Sequence, residues 1–157
     1  MDPSLFRFLL LEDQPKKGEP LPTIVRKATD ETLSNDTTLQ DDDELFFPVG
    51  VGQTWAFIFY IVYQATTVAD LEIAVTVPAG ADVVMTAIND IFNSVRTSGG
   101  EFVGTVSGDN TNEQIQINGT IIVGATPGNV QFQWAQETAE VSDTIVRAGS
   151  FIIAHRL

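Results

Sequence analysis

From Leu45 onward, apolar and polar positions alternate in short runs separated by glycine, proline and asparagine, the pattern of strands joined by turns. Between Asp70 and Val77, Leu71, Ile73, Val75 and Val77 share one face while Asp70, Glu72, Ala74 and Thr76 share the other, and Pro78-Ala79-Gly80 ends the run. Gln114 to Val123 repeats the scheme, with Ile115, Ile117, Ile121 and Val123 opposite Gln114, Gln116, Asn118 and Thr120. Val130, Phe132 and Trp134 alternate with Gln131 and Gln133 after a Thr126-Pro127-Gly128-Asn129 turn. Further strands fit Thr23 to Lys27, Glu44 to Val49, Val83 to Asn89, Glu101 to Val106 and Thr144 to Arg156, the last broken at Gly149. Asp90 to Arg96 fits a short helical turn or a strand equally.

Trp55 to Tyr63 departs from this alternation. Trp55, Phe57, Phe59, Ile61 and Tyr63 fall on one side, and Ala56, Ile58, Tyr60 and Val62 on the other. A strand apolar on both faces is covered on both. In a two-layer domain the opposite sheet supplies one cover, and the arm, a loop or another subunit supplies the second. These patterns predict an all-β fold: an antiparallel β-sandwich or jelly roll of about eight to ten strands over residues 23–157, preceded by an extended arm over residues 1–22.

The arm differs in kind from the rest of the chain. The first 43 residues hold ten of the 21 acidic side chains, five of the eight basic ones and four of the seven prolines, without sustained periodicity. Pro15, Pro20 and Pro22 bias the backbone toward extended geometry and block a helix. The arm's tip is apolar: Leu5, Phe6, Phe8, Leu9, Leu10 and Leu11. Such a tip folds back on its own core or docks on a neighbouring subunit. Asp2 ahead of this tip and Glu12-Asp13 behind it lack the cationic start and small-residue cleavage site of a signal peptide, so the expected location is the cytoplasm of the cell that makes it.

Composition narrows the function classes. Charged residues make up 18%, below the usual about 25%, which leaves little material to solvate a monomer's whole surface. A net charge of −13 repels phosphate backbones, so direct nucleic-acid binding is not expected. The nine apolar residues from Trp55 are about half a membrane helix, so no membrane span is expected. With no cysteine, disulfides, thiolate metal sites and thiol nucleophiles are absent.

Candidate chemistry is sparse. The one histidine, His155, lies near the C-terminus and reads as a surface or interface group. Asp41-Asp42-Asp43-Glu44 could offer oxygen ligands to Ca²⁺, but the spacing lacks the alternation and glycine of a calcium loop, which favours a solvated turn into the strand at Leu45. Gly50-Val51-Gly52 reads as a hairpin turn rather than a phosphate cradle. Glu101, Asp109, Glu113 and Asp143 read as loop or strand-edge charges, although a carboxylate pair depends on the fold. No catalytic residue, cofactor or metal is expected.

Two stretches carry a family resemblance. Val25-Arg26-Lys27, Asp30-Glu31-Thr32 and Asp36 through Leu45 resemble the opening of small structural proteins of tailed bacteriophages and prophages, and Ser142 through Ile153 resembles their closing strands. The resemblance implies a virion protein without enzymatic activity, most simply a head decoration protein that cements the capsid, on the outer surface of a head assembled in the host cytoplasm. Its partners would be copies of itself in a homotrimer and the major capsid protein. The interface residues would be the arm tip and Trp55, Phe57, Phe59, Tyr60 and Tyr63 of the doubly apolar strand. The alternative is a tail or fibre component that binds the host surface, with Trp134 as a carbohydrate platform unless it is core.

Overall fold

A computed structural model describes residues 20–88, 93–97 and 102–157. Among these the chain is all-β, with two antiparallel sheets forming a sandwich. In chain order the strands are β1 (Thr23–Arg26), β2 (Glu31–Leu33), β3 (Gln40–Val49), β4 (Thr54–Gln64), β5 (Leu71–Thr76) and β6 (Asp82–Ile88). Then follow β7 (Asn93–Thr97), β8 (Phe102–Val106), β9 (Glu113–Ile122), β10 (Gly128–Gln136), β11 (Thr144–Val146) and β12 (Phe151–Arg156).

The smaller sheet runs β3-β10-β5-β8, and the larger runs β1-β12-β4-β9-β6-β7, with β11 pairing β2 and β4. From β3 to β10 this order is that of a jelly roll: eight strands in two nested Greek keys, four in each sheet. β12 and β1 extend the larger sheet beyond β4, so β4 is an interior strand of an eight-stranded sheet. The twelve strands among the described residues exceed the eight to ten that periodicity suggests, because β2 is three residues long within the irregular N-terminal third and the run from Thr144 to Arg156 divides at Gly149 into β11 and β12. The segment open between helix and strand overlaps β7.

Gly50-Val51-Gly52 does not close a hairpin. β3 pairs with β10 and β4 with β9 and β12, so the turn passes the chain from one sheet to the other, with Gly52 at φ 69°. The alternating runs take the faces their pattern requires. Ile115, Ile117 and Ile121 of β9, Leu71, Ile73 and Val75 of β5, and Val130, Phe132 and Trp134 of β10 are all buried between the sheets.

At the centre of the core four rings interlock. Phe47 lies 5.7 Å from Phe57 and 6.3 Å from Phe59, and Phe59 lies 6.2 Å from Phe132, with Phe57 edge-on to Phe59 at 5.7 Å. These are the tilted and edge-to-face arrangements that aromatic quadrupoles favour. Space for the Phe57 ring comes from Gly119, its cross-strand partner, where an added Cβ would come within 2.3 Å of the ring.

Candidate assembly surface

The strand β4 divides its residues between two environments. Phe57, Phe59, Ile61 and Tyr63 point into the core, whereas Ala56, Ile58, Tyr60 and Val62 point outward and are half-buried. Pairing registers continue this outer face across the sheet. One row runs Ile24, Ile153, Ile58, Asn118 and Thr86 over β1, β12, β4, β9 and β6. On one side of it lie Arg26, Phe151, Tyr60, Gln116 and Ile88, and on the other His155, Ala56, Thr120 and Val84.

None of these side chains is a carboxylate, although the chain carries 21 acidic residues. Ile24, Val84, Ile88 and Ile153 are exposed, Ile24 to 67% and Val84 to 45%. Tyr60 and Phe151 stack at 4.8 Å with their planes 16° apart, giving the face a flat aromatic edge. Gln116 donates to the Asn118 side chain at 2.8 Å, so these amides satisfy part of their hydrogen bonding along the strand. A shallow trough of about 500 Å³ crosses the face, lined by Ala56, Ile58, Val84, Thr120, Ile153 and His155 among others. The exposed isoleucine and valine side chains grouped here make this face the candidate contact surface.

The acidic run occupies a different place. Asp41 to Glu44 belong to β3 rather than to a solvated turn, and Asp42 is buried. Its Oδ1 accepts from the backbone N–H of Glu44 at 3.0 Å and of Leu45 at 2.9 Å, while its Oδ2 lies 2.8 Å from Lys27 Nζ. The same ammonium lies 2.7 Å from Glu31 Oε2. Burial works to lower the Lys27 pKa, but the two carboxylates outweigh it and hold the pKa above its ordinary value. Burial raises the Glu31 pKa, with Lys27 partly offsetting it. The ammonium thus stands where a bound cation would, and among the described residues no cluster of three or more histidine, aspartate or glutamate side chains could hold a metal.

The sequence candidates are separated by the fold. The arm tip, Leu5, Phe6, Phe8, Leu9, Leu10 and Leu11, lies outside the described residues, as does Glu101. Of the doubly apolar strand, Phe57, Phe59 and Tyr63 are taken up by the chain's own core and cannot meet a partner, because the opposite sheet covers their face. Trp55 is half-buried against Phe47 at 5.7 Å, which leaves Tyr60 as the aromatic of the strand's outer face. Trp134 is fully buried and is no carbohydrate platform, since its alternation with Phe132 and Val130 places all three between the sheets. His155 lines the trough. Asp109 caps its own turn through the Thr111 N–H at 2.7 Å and hydroxyl at 2.6 Å, and these bonds lower its pKa. Ile24, Val84, Ile88, Ile122 and Ile153 belong to the outer face and escape a reading of β4 alone. Their signal is the adjacent apolar pair, Ile24-Val25, Val83-Val84, Ala87-Ile88, Ile121-Ile122 and Ile152-Ile153, in which one member must face out.

No protein-family model matches the chain, and no curated protein is similar to it in sequence. Among solved structures, a chain of the "Structure of infectious bursal disease virus Gx strain" aligns at 11% identity and TM-score 0.21, over 88% of this chain. This chain spans 41% of the length of that one, and a likeness so faint carries no argument.

Proposed function

We propose that the protein is a structural component of a bacteriophage virion, a capsid decoration protein that assembles as a trimer on the outer head and uses its arm to hold a neighbouring subunit. The observation that carries this reading is the broad outer face of the eight-stranded sheet, without a carboxylate in its three central rows, from whose edge strand β1 the arm departs. Such a surface is costly to leave in water and useful in an assembly. The sparse charge and the resemblance of residues 25–45 and 142–153 to phage structural proteins point the same way. The jelly roll serves in capsid and lectin domains alike, so it supports the reading only by analogy. With Trp134 in the core, no observation favours the host-binding alternative.

The test is co-sedimentation with expanded phage heads and with tails. Saturable binding to heads, together with a trimer mass by light scattering, is the expected result. Binding to tails or host cells but not to heads overturns it. A variant lacking residues 1–22 that binds heads as tightly as the full chain removes the arm's part in the reading.

A further inference from the structure

The outer face needs an occupant, and its dimensions restrict the choice. Five strands at ~4.8 Å spacing and about six residues at ~3.3 Å make a patch of roughly 480 Å². A stable interface buries about 800 Å² per partner, so two such faces pressed together fall short. An extended segment seated along the trough fits better, because it covers the patch and adds the area of its own side chains. The chain carries one segment of that character outside the described residues, Leu5 to Leu11, with six large apolar side chains.

Charge selects the same segment. Residues 1–22 hold four acidic and three basic side chains, whereas the remainder holds seventeen and five. The arm is thus the part of one copy that another acidic copy repels least.

Length decides between a copy's own face and its neighbour's. The spacer from Glu12 to Pro22 contains three prolines in eleven residues. In extended proline-rich geometry it spans roughly 34 Å at ~3.1 Å per residue. The trough centre lies two to three strand spacings from β1, about 12 Å away. A domain of this size has a radius of gyration near 14 Å, hence a diameter of roughly 35–40 Å. The spacer overshoots its own face about threefold and matches the width of one domain. Pro20, Leu21 and Pro22, where the described chain begins, are exposed rather than folded onto the sheet.

We infer that the trough on the outer face of the eight-stranded sheet receives the Leu5–Leu11 segment of a second copy of this chain. This deepens the assembly reading and rests on it in taking a second copy as the source.

The absence of cysteine makes the test direct. In the full-length protein, Leu9→Cys on one copy is mixed under mild oxidation with Thr120→Cys on another, Thr120 lining the trough. Val68→Cys, exposed outside the trough, serves as the control partner. The disulfide-linked pair with Thr120→Cys forms at least tenfold faster than with Val68→Cys, and adding Val84→Asp to the Thr120→Cys copy removes that advantage. Equal rates for the two partners overturn the site. The Leu9→Cys/Thr120→Cys double variant yields chains linked to one another; a ring closed within one chain at low concentration overturns the second copy as source. Head binding that survives a failed cross-link leaves the decoration reading standing without this docking site. A successful cross-link without head binding does the reverse.

Discussion

The two faces of β4 differ little in composition and greatly in fate. Phe57, Phe59, Ile61 and Tyr63 meet the second sheet and vanish from solvent, while Ala56, Ile58, Tyr60 and Val62 on the reverse face stay half-covered. Apolar character on both sides of a strand therefore indicates two covers but not their origin. Here the domain supplies one of them. The other face is continued by β12, β9 and β6 into a surface that the described residues leave open, and that contrast is the argument for assembly.

The comparison is broken most severely from the inside. Phe59 contacts the rings of Phe47, Phe57 and Phe132, and Phe59→Ala removes the ring that joins all three. The expected loss is about 3–5 kcal/mol in urea denaturation. Tyr60→Ala, one residue away on the outer face, is expected to cost less than half as much; equal losses would mean that the outer face is as fully packed as the inner one. Asp42→Ala leaves Lys27 buried with Glu31 as its remaining partner and unties the Glu44 and Leu45 N–H groups. A loss of about 3 kcal/mol is expected, because stripping one partner from a buried pair strands the other charge. Gly119→Ala comes next, at about 1–3 kcal/mol, since its methyl group must displace the Phe57 ring.

A smaller effect is read through pH. Glu44 accepts from the Ala28 N–H at 2.8 Å, the Thr29 N–H at 3.2 Å and the Thr29 hydroxyl at 2.9 Å, and the Ala28 bond contributes most to lowering its pKa. Asp30 is lowered likewise by the Ala148 N–H and Arg147. A carboxyl whose folded pKa is depressed adds stability above its unfolded value and loses it as pH falls through the folded value. Glu31, raised by burial, has the opposite sign: the folded state holds its proton more tightly, so stability falls as pH rises from its unfolded to its folded pKa. Denaturation midpoints should therefore drop on acidification below the ordinary carboxylate range, and Glu44→Gln should make that drop shallower. An unchanged acid limb in Glu44→Gln would show that its hydrogen bonds do not persist in solution.

Much of the fold is legible in the sequence wherever one face of a strand is polar. The β5, β9 and β10 runs declare both their strand character and their buried side, because a period of two leaves no second choice. Legibility fails where contacts are remote in sequence. Asp42 reads as part of a solvated turn, with nothing to tie it to Lys27, until β1 and β3 come together at one edge of the sandwich, and the Gly50–Gly52 turn reads as a hairpin because sequence does not say which sheet its two strands join. The candidate surface is half legible: Ile58 and Tyr60 are visible as the outer side of a doubly apolar strand. Ile24, Ile153 and Val84 join them only through registers between strands remote in sequence, Ile24 with Ile153, Ile153 with Ile58 and Val84 with Thr120.

The smallest effect on stability sharpens the comparison most. Val84 lies on the outer face with 45% of its surface exposed, and its neighbours across the pairing are Thr120 on β9 and Thr97 on β7. Val84→Asp places a carboxylate on a face that has none in its central rows, yet it leaves no cavity and strands no buried partner. Its cost in unfolding free energy should stay within about 0.5 kcal/mol, as for surface changes generally. If the outer face exists to be covered, the same substitution should lower the mass seen by light scattering at micromolar concentration. Val68→Asp, at a residue 58% exposed and outside the trough, should leave that mass unchanged. A Val84→Asp protein that is stable and still fully assembled would mean that the outer face of β4 is simply tolerated in water, and that the apolar count of the strand reflects sheet propensity rather than a second cover.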